Sequence, residues 1–166
     1  RSKMIKIQLQ EQWANWYTLE SADNNTHQYL KKISIIIPHY NNYEILVCCI
    51  QSIKKSHYSN YEIIVVNNAS TDDSIDRLSN EYSDIKIINS NRNLGYAGGC
   101  NLGAKSADGD YLIFLNNDTE HDSNWIETLA SFLDENSNVA SVQPKIRNME
   151  NKEQFDYAGA CGGYID

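Results

Sequence analysis

From Ile33 onward the chain alternates short apolar runs with mixed stretches that carry apolar residues at helical spacing. Ile33-Ser34-Ile35-Ile36-Ile37, closed by Pro38, predicts a strand buried on both faces, as parallel sheets require. Residues from about Tyr43 to Lys55 predict a helix, and Tyr61 to Val66 a second strand. Asp72 to Tyr82 predicts a second helix, capped by Ser70 or Thr71. Ile85 to Ile88 is a third strand, and a glycine-rich segment then runs into a helix near Asn101 to Ser106. Tyr111 to Leu115 is a fourth strand, Asp122 to Glu135 a helix, and Val139 to Val142 a fifth strand. Strands that alternate with helices imply right-handed βαβ units, hence an α/β fold with an open, mostly parallel sheet flanked by helices. Ligands in such sheets bind beyond the carboxyl ends of the strands. The loops after the first, second and fourth strands are therefore where chemistry is expected.

Residues 1–32 break this rhythm. Met4, Ile5, Leu9, Trp13, Trp16 and Leu19 include helix-like spacings, and Ser21 to Thr26 reads as a polar connector. This segment is expected to be a helical lead-in or the tail of a preceding domain, with residues 33–166 forming the second unit. A chain that begins at Arg1 and ends at Asp166 just after a Gly-rich stretch reads as part of a longer protein.

Composition narrows the function classes. With 22 acidic and 14 basic side chains the formal net charge is −8. A phosphate-tracking nucleic-acid binder needs a basic face, so nucleic acid is not expected as a partner. Acidity does not argue against an anionic small molecule, because one bound metal ion overrides the local field. Cys48, Cys49, Cys100 and Cys161 show no CxxC spacing and read as buried, reduced thiols, which points to a cytoplasmic setting. No apolar run is long enough to span a bilayer and no signal peptide is visible, so any membrane association is expected to be peripheral, at the inner face and through the parent protein.

Four loops offer polar groups in places a ligand can reach. After the first strand stands Pro38-His39-Tyr40-Asn41-Asn42. Proline ends the ladder, Tyr40 offers a flat face for a base, and Asn41 can bond to ribose or cap the following helix. After the second strand, Asn67-Asn68-Ala69-Ser70-Thr71-Asp72 can meet base or ribose groups, or serve only as a capped helix start. After the third, Asn91-Arg92-Asn93-Leu94-Gly95-Tyr96-Ala97-Gly98-Gly99-Cys100-Asn101 combines glycines that permit close backbone approach with an arginine able to pair with phosphate. Its placement after the third strand, without the acidic ribose partner, argues against a nicotinamide site. After the fourth strand, Asn116-Asn117-Asp118-Thr119 sets hard oxygen donors at a strand end, suited to Mg²⁺ or Mn²⁺ bridging to a diphosphate or to an Asx-type turn. His27, His39, His57 and His121 are scattered, with no helical pairing, and are expected to be neither metal ligands nor catalysts.

Taken in order, the run Ile35 to Asn41, then Val65 to Asp72, then Asn91 to Asn101, then Leu115 to Asp118 resembles the family 2 glycosyltransferases of the Rossmann-like GT-A fold, especially bacterial rhamnosyltransferase-like members. The resemblance runs from about Ile33 to Asp166, and the segment Asp156 to Asp166 also looks like the family's. It implies an enzyme of cell-wall or polysaccharide synthesis that transfers a sugar, with inversion, from a UDP- or dTDP-sugar to a glycan or lipid-linked acceptor. By the same resemblance Pro38, Tyr40, Asn41, Asn67 and Asn68 hold the nucleoside. Arg92, Gly95 and Asn101 lie near the diphosphate. Asn116-Asn117-Asp118 falls on the family's DxD motif, in which Asp118 is the usual ligand of Mg²⁺ or Mn²⁺. Asn67 stands where the family commonly has Asp, and Asn116 replaces the first acid of the DxD motif. The catalytic base and the acceptor half are implied to lie beyond Asp166, so that this chain binds donor better than it catalyses transfer. Two other readings remain: a non-catalytic nucleotide- or sugar-binding module, and a doubly wound domain carrying a flavin or nicotinamide.

Overall fold

A computed structural model describes residues 3–4, 30–151 and 153–157. The elements in chain order are β1 (Lys3–Met4), β2 (Ile33–His39), α1 (Tyr43–Lys54), β3 (Tyr61–Asn67), α2 (Ser74–Glu81), β4 (Lys86–Asn89), α3 (Gly95–Ala104), β5 (Tyr111–Phe114), α4 (Trp125–Glu135), β6 (Ile146–Arg147) and β7 (Phe155–Tyr157). The first five strands form one parallel sheet in the order β1-β5-β2-β3-β4. A small antiparallel ribbon joins β6 to β7. No helix among the described residues is long and apolar enough to cross a membrane.

Every residue of β2 is buried, because both faces of the central strand are covered. Ile33, Ile35 and Ile37 share one core with Leu46, Ile50 and Ile53 of α1 and with Ile126, Ala130 and Leu133 of α4. Ile36 faces the other way, packing with Ile64 and Val66 beneath Leu102 and Ala104 of α3. Burying such a side chain stabilises the fold by about 1.5–3 kcal/mol. Ser34, the one polar residue between these isoleucines, is satisfied: its hydroxyl donates to Glu62 Oε1 at 2.6 Å and accepts from the Gly109 amide at 2.9 Å.

The glycine-rich segment is itself the helix α3, which begins at Gly95 and not near Asn101. Gly99 and Gly103 lie four residues apart on the face that meets the sheet. A Cβ at Gly99 would come within 2.9 Å of Pro38 Cβ, and one at Gly103 within 3.0 Å of Val66 Cγ2. The absent side chains let the helix axis sit close against β2 and β3. Gly95 opens the helix at φ +67°, a conformation that glycine adopts without a steric penalty.

Four further expectations are corrected. Val139 to Val142 forms no strand: Val142 packs into the core at 3% exposure from an irregular segment. The helix α2 starts at Ser74 rather than Asp72, and neither Ser70 nor Thr71 caps it. Asp72 does that work, with Oδ1 accepting from both the amide (3.2 Å) and the hydroxyl (2.5 Å) of Ser74. Cys48 is exposed, whereas Cys49 and Cys100 are buried free thiols. Met4, expected on a helix, lies in β1; Ile5 to Leu19 and Cys161 fall outside the described residues.

Candidate functional site

The strand order places a switch point at β2. The chain leaves it toward β3 and β4 on one side, and β5 returns on the other. Loops that follow β2 and β5 therefore diverge and open a crevice between them, the usual ligand position in such sheets. A cleft of about 280 Å³ lies there. Pro38, His39 and Tyr40 at the end of β2 form one wall, and Asn116 and Asn117 after β5 form another. Asn68, Asn93, Gly95 and Tyr96 complete it from the β3 loop and the start of α3.

Of the residues expected from sequence, Pro38, Tyr40, Asn68, Gly95, Asn116 and Asn117 meet in this cleft. Asn41, Asn67, Arg92, Asn101 and Asp118 do not line it. Asn41 (φ 59°) and Asn42 (φ 71°) turn the chain sharply after β2. The Asn41 carboxamide clasps Thr71, accepting from its amide at 2.8 Å, while the Asn41 amide donates to Ser70 Oγ at 3.1 Å. The loops after β2 and β3 are thus tied together. Asn67 is engaged at both ends of its amide: Oδ1 accepts from the Ser70 amide at 2.8 Å, and Nδ2 donates to Asn89 Oδ1 at 2.9 Å. Arg92 is exposed beyond the end of β4, and Asn101 is exposed on α3. Asp118 follows Asn117 directly and is exposed.

Asn68 is a buried strut. It is 4% exposed, its Nδ2 donates to the Gly95 carbonyl at 3.2 Å, and its Oδ1 accepts from the Leu94 amide at 3.4 Å. These bonds hold the amino end of α3 over the end of β3. The first amides of a helix carry partial positive charge and suit an anion. Among the described residues no Asp, Glu, Lys or Arg side chain lines the cleft, so this backbone field and four asparagines set its polarity there. Tyr40 and Tyr96 present aromatic surface there, at 50% and 49% exposure.

Three lining residues were missed: His39, Asn93 and Tyr96. Asn93 accepts from the Gly95 amide at 2.8 Å and so shapes the turn into α3. His39 gave a signal, as a polar residue that closes an apolar strand. It is 1% exposed, with Nε2 3.0 Å from Ser74 Oγ and Nδ1 3.0 Å from Asn117 Nδ2. Burial holds its imidazole below the ordinary pKa. Behind the Asn116–Asp118 turn, His121 stacks on Trp125 with ring centroids 4.4 Å apart and lies 2.8 Å from Ser52 Oγ and 3.2 Å from Thr119 Oγ1. Burial lowers its pKa to about 4. The Thr119 hydroxyl in turn bonds the Asn116 carbonyl at 2.8 Å, which braces the turn. Among the described residues, no group of three or more His, Cys, Asp or Glu side chains could hold a metal ion.

The profile of "Glycosyl transferase family 2" matches residues 34–159. An uncharacterized glycosyltransferase of Rickettsia bellii is 33% identical over 123 residues, covering 72% of this chain and 18% of that protein. The crystal structure of S. aureus TarS 1–349 in complex with UDP superposes with a TM-score of 0.58 at 25% identity, over 64% of this chain and 33% of that one. The mannosyltransferase PcManGT from Pyrobaculum calidifontis, in complex with GDP-Man and Mn²⁺, shares the fold at a TM-score of 0.58 and 19% identity, over 72% of this chain and 35% of that one. The chain thus spans well under half the length of each of these proteins. The fold is the GT-A arrangement, an α/β parallel sheet flanked by helices. The chain belongs to glycosyl transferase family 2.

Proposed function

We propose that the cleft between the ends of β2 and β5 binds the nucleoside diphosphate part of a UDP- or dTDP-sugar. Residues 33–166 would then supply the donor side of an inverting transfer to a glycan or lipid-linked acceptor. The observation that carries this reading is convergence: segments some eighty residues apart in sequence, from Pro38 to Asn117, close one crevice at the switch point. TarS, solved with UDP, and PcManGT, solved with GDP-Man, support a nucleotide as occupant. The likeness of the motif run to rhamnosyltransferase-like members supports testing dTDP-sugars beside UDP-sugars.

Each group has a role on this reading. Tyr40 offers its face to the base, and the amino end of α3 at Gly95 meets the diphosphate. Arg92, at the mouth of the same segment, pairs with phosphate oxygens. Asn41 and Asn67 hold the nucleoside-side loops in shape, and Asn101 offers an exposed carboxamide on α3. Asp118 fits a Mg²⁺ or Mn²⁺ site of the kind completed by substrate phosphates, in which one or two protein carboxylates suffice. When bound, such an ion stabilises charge on the departing diphosphate. The acceptor hydroxyl needs a carboxylate base on the opposite face, supplied by the longer protein outside residues 1–166.

A second reading, a non-catalytic nucleotide- or sugar-binding module, is favoured by one observation: among the described residues no carboxylate lines the cleft. A thermal-shift panel of UDP-, dTDP- and GDP-sugars, with Mn²⁺ and then with EDTA, tests the proposal. A ligand at a hundred times its Kd stabilises by about 2.7 kcal/mol. A melting point raised by a uridine or thymidine diphosphate sugar and lowered again by EDTA is expected. No shift with any nucleotide sugar would overturn it. Metal-independent stabilisation, with no transfer by the full-length protein, would favour the second reading.

A further inference from the structure

A chain of polar groups, with Ser74 and His39 buried at its centre, runs from the exposed Asp72 to the cleft, and its direction can be read off. It begins at Asp72. This carboxylate accepts from the Asn42 amide at 2.6 Å and from the Ser74 amide and hydroxyl, and those bonds hold its pKa below the ordinary value, the Ser74 side-chain bond foremost. An ionised carboxylate can only accept, so the single hydroxyl hydrogen of Ser74 is committed to it at 2.5 Å. Ser74 Oγ is then an acceptor toward His39 Nε2 at 3.0 Å, and Nε2 must carry the proton. A buried neutral imidazole with its proton on Nε2 has a bare Nδ1, which can only accept. Asn117, 3.0 Å away, must therefore turn its NH₂ toward Nδ1. That leaves its carbonyl oxygen as the group free to serve the cleft that Asn117 lines.

We propose that His39 is a positioning residue: held in one tautomer by the Asp72–Ser74 pair, it fixes the Asn117 amide so that an oxygen, and not an NH₂, is offered in the cleft. The inference rests on the donor-binding reading for its consequence, and on hydrogen-bond polarity for its content. An oxygen beside Asp118 suits a cation or a ligand hydroxyl or N–H; an NH₂ there would repel the first and be unable to accept from the others. The strut also spans three elements, from the start of α2 through the end of β2 to the turn after β5. The oxygen is thereby fixed before any ligand arrives, and partners of this kind typically change ligand affinity by roughly 10–100-fold when removed.

Two measurements test it on the whole chain. Ring ¹⁵N correlation spectra of the ligand-free protein should show His39 as the Nε2–H tautomer, with Nδ1 at the shift of an unprotonated, hydrogen-bonded nitrogen. The Nδ1–H tautomer would overturn the proposal whether or not any nucleotide binds. Calorimetry with UDP and Mn²⁺ then compares His39→Asn with His39→Gln, with melting points recorded for both. The Asn oxygen can stand near the position of Nδ1 and still accept from Asn117; the Gln amide reaches toward Ser74 and leaves Asn117 unheld. At similar melting points, His39→Gln should lose about tenfold or more in UDP affinity, and His39→Asn markedly less. Equal losses, or none, would overturn the positioning role. Absence of UDP binding by the unsubstituted chain would count against the donor reading alone, since the tautomer decides the inference by itself.

Discussion

Asp118 is the residue on which the metal expectation turns, and its exposure makes the consequence of removing it clear. Asp118→Ala takes away no buried contact, so stability should change by no more than about 0.5 kcal/mol. The Mn²⁺-dependent part of UDP binding should vanish, as calorimetry with and without EDTA would show. A variant that fails to fold would mean that the carboxylate instead holds the turn. His121 makes a different prediction, on pH. Its folded pKa, about 4, lies below the ordinary 6.5 because it is buried. The unfolded chain therefore binds more protons between these values, and the stability contributed by the neutral ring is complete above about pH 6.5 and is lost as pH falls toward 4. His39 is shifted in the same direction by burial and adds to the effect. The slope should approach about 1.4 kcal/mol per pH unit for a fully shifted group. Urea unfolding between pH 7 and pH 4 measures it, and His121→Phe should flatten the profile; an unchanged profile would show that the ring does not carry the effect.

At the scale of elements, the close seating of α3 is the feature most sensitive to one methyl group. Gly103→Ala would drive a Cβ against Ile36 and Val66 and should cost about 1–3 kcal/mol, read as a lowered melting point. Gly99→Ala meets Pro38 at 2.9 Å and Asn68 at 3.0 Å, so it should disturb the cleft wall and weaken UDP binding as well. Loss of binding in Gly103→Ala but not in Gly99→Ala would contradict this placement. Much of this layer could be read from the sequence. The isoleucine run identifies β2, although the strand does not end at Pro38 as expected but carries on through it to His39, paired with Val66 and Asn67; the alternation of strands with helices gives the parallel sheet and the loops that matter. The start of α3 was not legible, because a segment with glycines at 95, 98, 99 and 103 has poor intrinsic helix propensity and becomes helical by packing on β2 and β3. Val139 to Val142 has a strand's composition, but Val142 reaches the core from an irregular segment, a tertiary outcome that composition does not carry. The cleft followed the same rule. Residues at strand ends, such as Tyr40 and Asn117, were legible from topology. His39 was marked only as a polar residue closing an apolar strand, because its contacts are with Ser74 and Asn117, thirty-five and seventy-eight residues away.

At the scale of the whole molecule, the proposed function has one crevice at the switch point of a GT-A sheet receiving a nucleoside diphosphate sugar, with acceptor site and base outside residues 1–166. Residues 1–166 alone should then bind donor yet transfer no sugar, since loss of a general base alone typically lowers rate by roughly 10²–10⁴-fold and loss of acceptor positioning lowers it further. A product assay comparing this chain with the full-length protein checks that; full activity from the chain alone would place a base within it. The most direct measurement is amide and side-chain chemical-shift mapping of the labelled chain titrated with UDP, first without and then with Mg²⁺. Saturable shifts should be largest at Tyr40, Asn68, Gly95, Tyr96 and Asn117, with Asp118 responding only when the metal is present. Shifts confined to another surface, or none at saturating UDP and dTDP, would contradict the assignment of this cleft as the donor site.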